Sequence, residues 1–195
     1  MSLRDAEPYL ARLVRGLGEL GETLCGRDDE GEAAFEILAL DQRSRDNTLA
    51  VLSLLSGRRP ELYAYQDVPR DTAIMRASRL AQGRAWLILE GEVDLTLARW
   101  AVTEVLTGQN AATVPGTLLA VERELAQSKL GWLQGNLTDA QREIGRALAR
   151  RGERPLRHPS PPRGALGDAL DGIRRWARGP ASFARMARAR ERGGE

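Results

Sequence analysis

The chain has 195 residues, of which 42% are hydrophobic, enough for one folded domain with a buried core and an appendage. Its 29 basic and 27 acidic side chains nearly balance, and no apolar run approaches the ~18 residues that a membrane-crossing helix needs. A single cysteine, Cys25, excludes an intrachain disulfide, and with His158 as the single histidine no zinc site of the usual imidazole–thiolate kind can form within one chain.

The first element is a helix. Leu10, Leu13, Val14, Leu17, Leu20 and Leu24 recur on one face, Pro8 suits the first turn and Gly26 the position past the end. Gly16, Gly18 and Gly21 weaken it by roughly 1 kcal/mol each relative to Ala, so it needs a packing partner. The charged run "DDEGE" (28–32) follows and reads as a solvated turn, because it lacks the alternating ligands of a calcium loop. "AAFEILALD" reads as a buried strand or a short helix, with the strand preferred. "SRDNTLAVLSLLSG" reads as a helix capped by Ser44 or Asp46 and closed by Gly57. "ELYAYQDV", with its alternating tyrosines, reads as another strand.

The centre of the chain is "LILEGEVDLTL" (87–97). An apolar run, Gly91 for the turn, and the alternation of Val93, Asp94, Leu95, Thr96 and Leu97 predict an antiparallel hairpin. Trp86, Leu89, Val93, Leu97 and Trp100 also fit helical spacing, so an all-α helical bundle is the competing architecture. "ARWAVTEVLTG" is expected to be a helix and "NAATVPG" a short strand and turn. "TLLAVERELAQSKLGWLQG" is expected to be one helix with two apolar stripes. "LTDAQREIGRALARRG" opens on the capping-box pattern of Thr138 and Gln141 and forms another helix. "ERPLRHPSPPR" reads as an extended linker.

Charge is unevenly spread. Residues 1–150 carry 18 basic and 22 acidic side chains, and residues 151–195 carry 11 and 5. In the tail, Arg174, Arg175, Arg178, Arg185, Arg188, Arg190 and Arg192 lie close together, with Trp176 and Phe183 between them. Guanidinium groups pair well with phosphates, and interleaved aromatic rings stack on bases, so these arginines are the candidate nucleic-acid-binding residues. The competing reading is a solvated helix whose apolar face packs on protein. No catalytic residue, cofactor or metal ligand is identified. His158 in a linker has no group to position it as a base, and an enzyme would have to work with carboxylates and arginines alone.

Two family likenesses attach to the central region. "AWLILEGEVDL" resembles the β-roll hairpin of cyclic-nucleotide-binding regulators, but no nucleotide-binding residue carries over. The order "LAVLSLLSG", "ELYAYQ", "GRAWLILEGEV", "ARWAVTEVLTG", "AATVPG" over residues 49–116 resembles a PATAN-type bacterial signalling domain. Glu61 stands where that family usually has glycine, and the segment 67–82 is longer than its loop. That resemblance implies a non-enzymatic role exercised through protein contacts.

The expected fold is thus α+β, a small antiparallel sheet packed with helices over residues 1–152. A Pro-rich linker at 153–164 and a basic helical tail at 165–195 follow. The expected function is a non-catalytic protein-interaction or regulatory module of the bacterial cytoplasm, with a protein partner or a homodimer formed through its tryptophan-bearing helices. The alternative is a nucleic-acid-associated protein acting through the tail arginines.

Overall fold

The computed structural model of the protein describes residues 1–26 and 33–158. Seven strands and six α-helices are found among them: β1 (Ser2–Leu3), α1 (Glu7–Leu24), β2 (Ile37–Asp41), α2 (Thr48–Ser56), β3 (Leu62–Tyr65), α3 (Ala73–Leu80), β4 (Ala85–Leu89), α4 (Leu95–Leu106), β5 (Ala111–Val114), β6 (Leu118–Glu122), α5 (Arg123–Leu130), α6 (Leu137–Ala149) and β7 (Leu156–Arg157). The α+β class expected from the sequence is what the structure shows. β1, β2 and β3 run parallel in the order β1-β2-β3, and a second sheet has the order β4-β6-β5-β7. A parallel bridge between Ser2 and Glu90 joins the two, giving the continuous order β3-β2-β1-β4-β6-β5-β7. In it β6 runs antiparallel to both β4 and β5.

Both faces of this sheet are covered, and the sequence shows it as alternation within apolar strands. Ile37 and Ala39 of β2 pack with α1 and α2, while Leu38 and Leu40 pack with Ala73 of α3. In β4, Leu89 joins the cluster of Leu13 and Ala98, with Ala85 and Leu87 packed against it. Trp86 faces the other way, toward Leu125, Leu130 and Ile144. Helices α1, α2 and α4 therefore cover one face and α3, α5 and α6 the other. Strands buried on both faces read as continuous apolar runs, as "ILALD" and "AWLIL" do. The weakness of α1 has its partner too: a Cβ at Gly21 would lie 2.4 Å from the Phe35 ring, so the missing side chain is what admits it.

Three expectations need correction. The hairpin at Gly91 does not form. Gly91 does turn the chain, with φ +74, but β4 pairs with β6. The alternating residues after Gly91 instead enter α4, whose first turn Asp94 caps by accepting from the Thr96 N–H at 2.8 Å. "TLLAVERELAQ" is not one helix: Leu118–Glu122 is the strand buried between β4 and β5, and helix begins only at Arg123. The start of the proline-rich stretch is tied down, since Leu156 and Arg157 pair in parallel with Ala112 and Thr113.

One side chain locks the β5–β6 turn to the helix layer. The Gln141 amide nitrogen donates to Thr113 Oγ1, the Val114 carbonyl and the Leu118 carbonyl, each at 2.9 Å. Its oxygen accepts from the Gly116 N–H at 3.0 Å. Gln141→Leu keeps the bulk and strands the partly buried carbonyls, so it is expected to destabilise the fold by ~1–3 kcal/mol in urea unfolding.

Candidate functional site

β1, β2, β3 and β4 are mutually parallel, so their carboxyl ends lie along one edge of the sheet. The chain passes from β1 to β2 and β3 on one side, then crosses to β4 on the other. Ligands of open α/β sheets sit outside the carboxyl ends of strands at such a reversal. Here that point lies between the residues after β1 and those after β4. The sequence places Arg4 and Asp5 at the first, and Glu90, Gly91 and Glu92 at the second.

The loops after β1 and β2 are cross-tied. Ser44 Oγ accepts from the Asp5 N–H at 2.9 Å, and Asp5 Oδ1 accepts from the Arg45 N–H at 2.7 Å. Thr48 Oγ1, fully buried, accepts from the Ala6 N–H at 2.8 Å and donates to Asp46 Oδ1 at 2.5 Å. Asp46 Oδ2 accepts from the Glu7 N–H at 3.0 Å. Partial burial pushes the Asp46 carboxyl up, but these bonds from Thr48 and Glu7 outweigh it and hold the group below its usual range. Asp41, buried at the end of β2, accepts from the Ser44 N–H at 3.3 Å. The loop "DQRSRDNT" is thus spent on fixing the amino ends of α1 and α2 against each other. Thr48→Val leaves the Ala6 N–H without an acceptor, and a loss of ~1–3 kcal/mol in thermal or urea unfolding is expected.

The turn after β4 meets this cluster at Tyr9. The Tyr9 hydroxyl lies 3.9 Å from the position a Cβ on Gly91 would take. Its pKa is raised first by burial and then by the charges of Glu92, Asp46 and Asp5. Charges from three loops therefore act on one phenol. Glu92 pairs with Arg12. Glu90 Oε1 accepts from the Leu137 N–H at 2.9 Å, which brings the first turn of α6, with its Asn136–Asp139 capping box, to the end of β4. The Gln42 amide nitrogen, in the loop after β2, is a buried donor with no partner.

These oxygens suit a hard divalent cation. No three of His, Cys, Asp and Glu converge into a closed cage among the described residues.

The candidates named from the sequence lie elsewhere. Arg174, Arg175, Arg178, Arg185, Arg188, Arg190 and Arg192 fall outside the described residues, as do Asp28, Asp29, Glu30 and Glu32. Cys25 is exposed, and burial of its thiol pushes its pKa up against the smaller opposing effect of Arg84, so it is not an activated thiolate. His158 stacks edge-on against Trp100 at 4.6 Å. Glu90, Glu92, Asp5 and Tyr9 were not singled out. Of these only Glu90 carries a sequence signal, an apolar run ending in an acid shortly before a helix, as in "WLILE".

No family model matches the chain, and no curated protein matches it. Solved structures do match it. Among them is a mannosyltransferase from Pyrobaculum calidifontis, solved with GDP-mannose and Mn²⁺, at a TM-score of 0.58 and 16% identity. The alignment covers 84% of this chain and 56% of that one, so this chain spans little more than half the length of that enzyme. At this identity the likeness establishes a shared fold. It overturns the expectation of a non-catalytic signalling or regulatory module and the assignment as a non-enzyme, while the nucleic-acid alternative rests on tail arginines outside the described residues. The chain shares the fold of that structure, and the alternation that suggested a hairpin belongs to the turn after β4 and the first turn of α4. No helix among the described residues is long and apolar enough to cross a membrane.

Proposed function

We propose that this chain binds a nucleoside diphosphate sugar and serves in glycosyl transfer, with the donor seated between the carboxyl ends of β1 and β4. The observation that carries this reading is the meeting of the turn after β4, at Gly91 and Glu92, with Tyr9 of α1 at the topological reversal of a fold shared with a GDP-mannose-binding enzyme. In such a transfer the bond between the anomeric carbon and the diphosphate oxygen breaks, an acceptor hydroxyl attacks that carbon and gives up its proton, and the nucleoside diphosphate leaves.

A divalent cation, when bound, neutralises charge on the departing diphosphate. Glu90 and Glu92 are the side chains placed to hold it. Arg12, already paired with Glu92, is placed to keep that carboxylate extended at the crevice. The unpartnered Gln42 amide is a donor available to a ligand oxygen at the same sheet edge.

The test is a thermal-shift panel of GDP-, UDP- and ADP-sugars, each with and without Mn²⁺. At least one sugar nucleotide is expected to raise the melting temperature by several degrees only when the cation is present, as binding at ~100 times Kd stabilises by about 2.7 kcal/mol. A panel without any cation-dependent shift would end the proposal.

A further inference from the structure

β2 and β4 are held apart at their amino ends by a gap that β1 is too short to fill. Ser2 and Leu3 pair with Leu40 and Asp41, and Ser2 bridges Glu90. Behind them, Ile37, Leu38 and Ala39 pair only with β3, and Ala85–Leu89 only with β6. Between the two inner edges lies a cavity of about 550 Å³. Leu38, Leu87, Leu20, Phe35, Ile74 and Trp86 are among the residues that line it.

The walls are apolar in their side chains but not in their backbone. The Met1 nitrogen donates to the Leu38 carbonyl at 2.6 Å, and the Leu40 and Gln42 N–H groups donate to the carbonyls of Met1 and Leu3. Even-numbered residues of β2 therefore face β1, and by ladder alternation the Leu38 N–H points into the gap. On the other wall the Gly91 N–H approaches the Ser2 carbonyl at 3.5 Å, so the same alternation aims backbone groups of Leu87 inward. Buried backbone groups need partners, and a lipid tail or other apolar ligand offers none. A parallel strand offers all of them. Its attachment point is also present: the Met1 amine already occupies the ladder position at the mouth of the gap. As a buried amine it is driven neutral, with a pKa of about 5, whereas an amide there carries no charge to desolvate.

We propose that this gap is a strand-acceptor slot, filled by an extended apolar peptide of about four residues that is joined to the Met1 nitrogen and runs parallel to β2 and β4, completing β1. Four residues at ~3.3 Å each are what is needed to run back along Ala85–Ile88.

Two chains test it, one extended ahead of Met1 by Val-Ile-Val-Val and one by Gly-Asp-Gly-Asp, beside the unextended protein. The apolar extension is expected to raise the melting temperature by roughly 5–10 °C over the Gly-Asp chain and to slow exchange of the Leu38 and Leu87 amides at least ~10-fold. Equal melting and equal exchange in the two extended chains would overturn the proposal, since loss of the amine charge alone would then explain any gain over the unextended protein. The acetylated, amidated Val-Ile-Val-Val peptide, added at millimolar concentration to the unextended protein, is expected to protect the same amides more weakly than the fused strand does. Protection by the free peptide that fusion fails to reproduce would overturn the covalent attachment.

Discussion

Glu90→Gln is expected to weaken cation-dependent sugar-nucleotide binding by about 10²-fold while the protein melts within a few degrees of the unaltered chain. The two effects separate because Glu90 does two things. Its Oε1 accepts from the Leu137 N–H, one of the donors that the start of a helix leaves without an intrahelical partner. The amide oxygen of glutamine takes over that task. The negative charge, which would draw a cation and its phosphates to the end of β4, is what glutamine lacks. Glu90→Ala removes both, and an added loss of ~1–3 kcal/mol in urea unfolding is expected on top of the binding defect. Titration with Mn²⁺ and the donor identified in the thermal panel reads the first effect. Full-strength binding by the Gln variant would remove Glu90 from the site and leave it a helix anchor only.

Stability should climb steeply between pH 5 and pH 8, by up to about 4 kcal/mol, through the Met1 amine. Its pKa falls from 8.0 to about 5 because burial removes the water that would solvate the charged form. In that window the unfolded chain holds a proton that the folded chain has shed, so unfolding takes up protons and its free energy rises with pH. The contribution is complete above pH 8 and gone below pH 5, and three pKa units at 1.36 kcal/mol each give the total. Asp46 acts with the same sign but below this window. Its lowered pKa adds stability that is present above the unfolded carboxyl value near 3.8 and disappears as pH falls through the folded one. Urea unfolding at pH 5, 6.5 and 8, repeated on chain acetylated at its amino terminus, checks the assignment: the slope is expected in the free-amine protein and not in the acetylated one. A slope that survives acetylation would place it on another group.

Local signals in the sequence were sufficient for α1, α2, α6 and the strand at 62–65, where a clear period meets a recognisable end, as with Pro8 in the first turn, Gly57 at the close of α2 and the alternating tyrosines of β3, whereas the apolar run at 37–41 has no period to separate strand from short helix. The reading failed where period and partner disagree. Val93 to Leu97 alternates with period two, but once Asp94 supplies a cap the segment has a helix to enter, and the strand before it has a better partner in Leu118–Glu122. Leu118–Glu122 carries the residues of a good helix, yet burial between β4 and β5 overrides that preference. The capping box of α6 formed on Asn136 and Asp139 rather than on Thr138 and Gln141, because Gln141 is drawn to the β5–β6 turn.

The site was harder to see for a related reason. Nothing about Glu90, Asp5 or Tyr9 is unusual as a residue in its own stretch of chain. They gain meaning from strand order, which puts sequence positions 88 residues apart side by side on neighbouring strands at Ser2 and Glu90. A strand ending in an acid and leading into a helix points to Glu90, and only when it is read as a parallel crossover rather than as a hairpin.

The lone rung between Ser2 and Glu90 also has a mechanical meaning. A seam sewn at a single stitch resists shear far less than the multi-rung ladders on either flank, so the packing of α1 on β4 and α4 carries much of the connection between the two halves of the sheet. Tension applied across the molecule would open it along that seam first, and whatever lodges at the carboxyl ends of β1 and β4 would act as the clasp that stiffens it.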